Sequence, residues 1–141
     1  MIYFSYLEHD LNCAIADLDD DCHENGYVII EKLTIYNKID LFYKFYVRLE
    51  SFNDKKTKIK LDEIKSELLR INTFRNDIAH ANWQTLNKKG FVRTKIVVDA
   101  EEGFVKFQKI QITPKIIRNN IKAIHKLMNK IERYTEKARN F

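Results

Sequence analysis

The chain has 141 residues, of which 45% are hydrophobic and 32% are charged, and its formal net charge is +5. This length corresponds to one domain that buries its core without metal or disulfide support, and the composition is typical of a soluble protein. No segment approaches the roughly 20 uncharged apolar residues of a membrane span. The N-terminus lacks the basic start and small-residue cleavage site of a signal peptide, so we expect a cytoplasmic protein.

Charge is divided unevenly along the chain. The first 31 residues hold eight acidic side chains and no Lys or Arg, so the positive excess lies entirely in the remainder. This division indicates either an internal match between acidic and basic faces or a basic surface for a polyanion. Cys13 and Cys22 have neither a CxxC spacing nor a plausible bridge. We interpret both as reduced thiols, with Cys22 in the core.

Apolar residues recur at helical spacing in four stretches, each with a typical helix-terminal residue at one end. Thr34, Asp62 and Thr113 fit N-cap positions, and Gly26 follows the first helix. The apolar run 28–30 fits a connector or a single turn of helix. The predicted helices span residues 3–24, 35–52, 62–83 and 114–138.

The second predicted helix has an aromatic outer side formed by Tyr36, Tyr43 and Phe45. Core packing is the common role of aromatic side chains at helical spacing. A dimer surface and a platform for stacking bases are the alternatives.

A β-hairpin is predicted before the last helix. Residues 91–112 alternate at the period of a strand around the turn 99–103, and the polar residues 84–90 precede them as a turn. In the second strand the apolar residues change from odd-numbered to even-numbered positions. This switch in apolar parity predicts a bulge near Gln108 and Lys109. The predicted fold is therefore mainly α, a single domain over 1–141 with an up-and-down bundle of about four helices and this hairpin.

The last helix carries seven cations at spacings of three and four residues, which places them along one face. A solvated face, a face paired with acidic residues and a strip that follows phosphates all fit this pattern. The seven residues are Lys115, Arg118, Lys122, Lys126, Lys130, Arg133 and Lys137.

Arg75 occupies a position where the apolar repeat of the third helix, with Leu68, Ile71 and Ile78, predicts an apolar side chain. An arginine on such a stripe must be paired or lent to a ligand, because an uncompensated buried charge costs several kcal/mol. Arg75 is therefore the first candidate for a functional residue.

Arg75 is followed by four residues and then by His80, with Asn76 directly after the arginine. This arrangement resembles the R-x4-6-H motif of HEPN domains, and residues 33–42 resemble the start of their second helix. The resemblance covers about residues 30–83 and implies a small helical bundle that acts as a dimeric, metal-independent endoribonuclease in toxin or defence systems. Toxins of this family paired with nucleotidyltransferase antitoxins often carry a tyrosine two residues after the histidine. The residue here is Asn82, which argues against that regulation.

Cleavage of RNA by its ribose 2′-hydroxyl needs a proton acceptor, a proton donor and positive charge at the phosphate. His80 fits the proton transfers, and Arg75 fits bidentate binding of the phosphate. Asn76 can orient the scissile group, and Asp77 can fix a ring tautomer or pair with an arginine. Because one histidine cannot be acid and base in the same step, we expect a two-fold dimer with both copies of His80 at one cleft. The residues expected to bind RNA are Lys88, Lys89, Lys115, Arg118, Lys122 and Lys126.

The alternative is a non-catalytic HEPN-like module that binds RNA, a nucleotide or a protein partner such as an antitoxin. Arg75 would then be buried and bonded to helix-end carbonyls or to Asp77. A metal site is the third reading, because His9 with Cys13 and Cys22 with His23 have ligand chemistry. Neither pair has a spacing that closes four positions, so we expect no metal and no other cofactor.

Overall fold

The computed structural model describes residues 1–18, 23–49, 55–80, 82–87 and 89–140. The described chain is mainly helical, with a small antiparallel sheet before the last helix. The helices are α1 (Ile2–Ala16), α2 (His23–Glu31), α3 (Ile35–Arg48), α4 (Lys55–Ala79) and α5 (Pro114–Arg139), and the strands are β1 (Asn82–Asn87), β2 (Gly90–Val98) and β3 (Val105–Ile112).

Four helices surround the main core. Both α1 and α4 pack against α3 and α5, so each of the four has two neighbours in a closed arrangement, and α2 packs against α1. The apolar side chains that these helices bury form one cluster: Phe4, Leu7, Leu11, Ala14, Ile15, Ala16, Ile30, Ile39, Phe42, Tyr46, Leu61, Ile64, Leu68, Ile71, Ile124, Leu127, Ile131 and Tyr134.

Two of the predicted helix starts are confirmed by their cap geometry. The Thr34 hydroxyl accepts a hydrogen bond from the Asn37 N–H at 3.3 Å. The Thr113 hydroxyl accepts one from the Ile116 N–H at 3.2 Å, and Pro114 occupies the first helical position. Each cap satisfies an N–H that lacks a partner within its own helix.

The start of α4 was predicted wrongly, because the helix begins at Lys55 and Asp62 lies inside it. Thr57 is almost fully buried one turn before Leu61, so the inward face of this helix begins earlier than its apolar residues indicate. The Asp62 carboxylate instead accepts a hydrogen bond from the Tyr43 hydroxyl at 2.6 Å. Tyr43 and Phe45 pack partly against the core, whereas Tyr36 is exposed.

The first predicted helix is also corrected. α1 ends at Ala16, and Gly26 lies within α2 instead of following a helix end. The run 28–30 belongs to α2, where Ile30 is buried while Val28 and Ile29 face solvent. Cys22, predicted to lie in the core, is outside the described residues.

Lys38 is the most unexpected core residue. Its side chain is 2% exposed, and its Nζ lies 2.6 Å from Oε1 of Glu8, which is 34% exposed. The ion pair joins α3 to α1 and supplies the charge and hydrogen bond that a buried ammonium requires.

The hairpin is confirmed, but the bulge is not. β2 and β3 pair in one unbroken register from Phe91 opposite Ile112 to Val98 opposite Val105. The switch in apolar parity has another cause. Phe91 and Ile112, at the base of the hairpin, are buried and lie on one face of it, whereas the apolar residues near the turn lie on the other face. The apolar side of the hairpin therefore changes along its length without an extra residue.

The end of the third predicted helix is corrected as well. α4 stops at Ala79, and β1 occupies Asn82–Asn87, where a helix end and a polar turn were expected. β1 pairs with β2 through Asn82 opposite Val92 and Asn87 opposite Gly90. Gly90 has φ 100°, and a Cβ there would collide with the Ile112 carbonyl. Glycine thus allows the chain to turn from β1 into β2 beside β3.

Candidate functional site

Arg75 lies near the C-terminal end of α4, beside the first turns of α1. Its guanidinium carbon is 5.6 Å from the centroid of the Phe4 ring, and its Nη1 donates to Asn76 Oδ1 at 3.2 Å. Its Nε is buried and has no hydrogen-bond partner among the described residues. Within the described part of the chain Arg75 forms no ion pair. The guanidinium is therefore half-buried without a negative counter-charge from those residues.

A cavity of about 80 Å³ adjoins this arginine, between the start of α1, the end of α4 and the start of α5. Of the described residues that line it, Arg75 has the only charged side chain. The others are Met1, Tyr3, Phe4, Ile71, Phe74, Ile78, Ile117, Asn120, Ile121 and Ile124. An apolar wall around a cation lowers the local dielectric and strengthens its attraction for an anion.

His80 follows the last residue of α4. Its backbone N–H donates to the Asn76 carbonyl at 3.1 Å, which continues the helical pattern by one residue. Its side chain is exposed and forms no hydrogen bond with any residue that the structure describes. Five residues of helix turn the chain by about 140° between Arg75 and His80. The structure therefore brings the side chains of Arg75 and Asn76 into contact, but it does not join the His80 side chain to either of them within one protomer.

Asp77 forms an ion pair with Arg93 of β2. The two side chains are 15% and 14% exposed, so the pair is largely removed from water and ties the end of α4 to the hairpin. Of the two roles expected for Asp77, the structure shows the pairing with an arginine. Arg93 was missed in the sequence. The only local signal was its place two residues after Phe91, on the inward face of β2.

All seven cations of α5 are exposed, and none forms an ion pair within the described residues. For the described residues, this observation excludes the alternative in which acidic side chains pair with the cationic face of α5. Lys89 is exposed beside the hairpin, and its carbonyl accepts a hydrogen bond from Gln111 at 3.2 Å. Lys88 lies outside the described residues. Lys130, Arg133 and Lys137 also border a cavity of about 240 Å³ between α5 and the start of α4.

An acidic groove of about 300 Å³ lies on the other flank of α5, against α1. Its charged lining consists of Asp10, Asp17, Glu132 and Glu136. Burial raises the pKa of the Asp10 carboxyl, and the neighbouring charge of Glu132 raises it further while His9 opposes the shift. This groove therefore repels the anions that the opposite face of α5 attracts.

Cys13 also lines the acidic groove, and it contacts the possible metal ligand His9. The Cys13 Sγ is 3.6 Å from His9 Nε2, and His9 Nδ1 is 2.9 Å from the Tyr27 hydroxyl. Nowhere in the described chain do three or more His, Cys, Asp or Glu side chains converge in a way that could hold a metal ion. Cys22 and His23, the other pair considered, have no described side-chain placement.

Comparison with known proteins finds no match among protein-family models, curated proteins or solved structures. The arguments for function therefore rest on the geometry above and on the motif. In the described ranges, no helix combines the length and apolar character needed to cross a membrane.

Proposed function

We propose that this protein is a metal-independent endoribonuclease of toxin or defence type, a cytoplasmic HEPN-like up-and-down bundle that cleaves RNA at Arg75 and His80 of a two-fold dimer. The observation that carries the proposal is that no described residue provides a counter-charge for Arg75. Arg93, at the base of the hairpin, is neutralised by Asp77, whereas Arg75 is half-buried against Phe4 with an unpartnered Nε. Such a charge is stabilised when a ligand supplies the anion, and a phosphodiester does so with two oxygens.

His80 supplies the proton transfers. One copy accepts the proton of the ribose 2′-hydroxyl as its oxygen attacks the adjacent phosphorus, while the second copy protonates the 5′-oxygen that leaves. The products are a 2′,3′-cyclic phosphate and a free 5′-hydroxyl. Because both rings are exposed and free of hydrogen bonds to described residues, they are available for these roles.

Asn76 orients Arg75, and Asp77 holds the end of α4 in place. The side-chain oxygen Oδ1 of Asn76 accepts a hydrogen bond from the guanidinium, which fixes the direction of the guanidinium and leaves the side-chain Nδ2–H groups of Asn76 free to donate to a phosphate oxygen. Asp77 acts as a positioning residue, since its pair with Arg93 holds the last turn of α4 against β2.

The cationic face of α5 binds the rest of the RNA. Lys115 to Lys137 extends for about 33 Å at the helical rise of 1.5 Å per residue, long enough to follow several phosphates. The N-terminal half of this face, with Lys115, Arg118, Lys122 and Lys126, belongs to the end of α5 that borders the Arg75 cavity. Lys89 extends the cationic surface at the hairpin. Lys88, which lies outside the described residues, is also expected to bind RNA.

The second candidate is a non-catalytic HEPN-like module that binds RNA, a nucleotide or a protein partner such as an antitoxin. The observation that favours it is the lack of any hydrogen bond between His80 and Arg75 within one protomer. The two candidates share the anion site and differ only in bond cleavage.

The deciding experiment is incubation of total cellular RNA with the purified protein in EDTA. We expect cleavage that leaves cyclic-phosphate ends and falls at least about 100-fold in His80→Ala and in Arg75→Ala. Arg70→Ala and His9→Gln are matched controls. Arg70 lies on the same helix but bonds Glu67 and Asn120, and the His9 ring contacts Tyr27 and Cys13. Controls that lose as much activity as the site variants would refute the assignment, and RNA binding without cleavage would establish the second candidate.

A further inference from the structure

The outer part of the hairpin stands apart from the helices. We call residues 93–98 and 105–110, with the turn between them, the arm. β1 pairs with β2 only as far as Val92, so in the described chain neither long edge of the arm has a strand beside it. The turn is closed by hydrogen bonds from the Asp99 N–H to the Phe104 carbonyl and from the Gly103 N–H to the Asp99 carbonyl, both 2.9 Å.

Near the turn, one face of the arm is apolar and open to solvent, while Thr94 and Lys109, both exposed, lie on the same face nearer its base. Ile96 lies opposite Phe107, and Val98 lies opposite Val105, which places all four side chains on the same face. Their exposed fractions are 62%, 69%, 64% and 54%. Isolated two-stranded ribbons are marginally stable in water, so this face is expected to be covered in the functional state.

The other face of the arm has a different character. Lys95, Lys106 and Gln108 are exposed there beside Val97, which is 39% exposed, while Arg93 at its base is paired with Asp77. A partner that met this face would have to desolvate ammonium groups. The apolar face has no charged side chain among the four residues nearest the turn, so it is the face suited to docking.

We propose that the apolar face of the arm docks against the same face of a second copy of this chain. The face is its own complement, because a two-fold axis sets the Ile96 and Phe107 pair of one copy over the equivalent residues of the other. Each of the four apolar side chains on this face exposes on the order of 100 Å², so a pair of arms buries about 800 Å² in all, the size of a weak, transient interface.

The arm is also anchored where such a dimer would be useful. Arg93 joins its base to Asp77, two residues after Arg75 and three before His80. A two-fold axis along the strands of the docked arms would bring the ends of two α4 helices to the same side of the assembly. The inference rests on the proposed function only in its need for a two-fold dimer, since the surface itself follows from the register and the exposed side chains.

The test is the molecular mass in solution, by sedimentation equilibrium of the full chain at micromolar concentrations. The test variant is Ile96→Thr with Phe107→Thr, and the matched control is Lys95→Thr with Gln108→Thr, the next cross-strand pair on the opposite face. Threonine keeps a high strand propensity in both. We expect a dimer for the parent and the control and at least a 100-fold weaker dimer for the test variant, with an unchanged circular dichroism spectrum.

A second variant, Val98→Thr with Val105→Thr, protects the test against misfolding of the first and is expected to weaken the dimer in the same way. A monomeric parent, or a dimer that both variants leave intact, overturns the proposal. A monomeric parent that binds vesicles containing phosphatidylserine also overturns it, in favour of a membrane surface. A parent that dimerises through the arm but does not cleave RNA supports the arm and refutes the ribonuclease, so the two failures are distinct.

Discussion

The ion pair between Asp77 and Arg93 predicts that loss of either partner destabilises the fold. Asp77→Asn and Arg93→Gln each leave the other charge largely buried without its counterpart. Breaking a fully buried pair costs about 3 to 5 kcal/mol, and because a small part of each side chain still contacts water, we expect about 2 kcal/mol for each variant. With a urea m-value of about 2 kcal/mol per molar, the unfolding midpoint should fall by about 1 M.

The double variant, Asp77→Asn with Arg93→Gln, measures the energy of interaction between the two charges. Because it removes both charges, its loss of unfolding free energy should be smaller than the sum of the two single losses by at least about 1 kcal/mol. Glu67→Gln is the control, since it breaks the exposed pair with Arg70, whose side chains are 41% and 48% exposed, and should change stability by less than about 0.5 kcal/mol. Single losses as small as that of the control, or strictly additive losses, would show that the pair does not hold α4 to the hairpin.

Two further predictions concern a turn and the acidic groove. Gly90→Ala should lower the unfolding free energy by about 3 kcal/mol because of its positive φ and the collision with Ile112, whereas Gly103→Ala, with positive φ but open space, should lose only about 1 kcal/mol; equal losses in urea unfolding would contradict this. Burial raises the pKa of Asp10 above 3.8, so its ionisation on raising the pH destabilises the folded state. Asp10→Asn should therefore raise the urea midpoint at pH 7 but not at pH 3, and a gain of equal size at both would exclude the charge as its cause.

Local sequence signals predict those parts of the fold that depend on near neighbours. Thr34 and Thr113 act within three residues of their helix starts, and the alternation in 91–112 depends on successive side chains. These elements were predictable for that reason. The start of α4 was not, because the residue that opens its inward face is the polar Thr57.

Contacts between distant residues explain the failures. Lys38 is buried because Glu8, thirty residues earlier, lies beside it. Asp77 meets Arg93 only after the chain has turned through β1, which replaced a predicted helix end. No periodicity within one segment encodes either pair. The bulge was predicted wrongly. When the apolar residues of a hairpin move from one face to the other along its length, they shift between odd and even positions just as they would after an extra residue.

For the candidate site, the sequence indicated the unusual position of Arg75 but not its surroundings. The apolar repeat of α4 predicted that the arginine would be paired or lent to a ligand, and the described residues supply no ion pair for it. Phe4, whose ring lies 5.6 Å from the guanidinium carbon, is 71 residues earlier in the chain. The roles of His80 and of the lysines expected to bind RNA stay predictions until the cleavage experiment is done.

The unpaired edges of the arm bear on how assembly stops. A strand edge accepts another strand through its backbone, and a molecule with two such edges can extend into an open fibre. Lys95 on one strand and Lys106 and Lys109 on the other place exposed charge along both edges, which disfavours that growth. Contact between apolar faces, by contrast, covers the apolar face of each molecule as soon as two copies have docked. The arrangement of lysines and apolar residues on the arm thus favours association that ends at two copies.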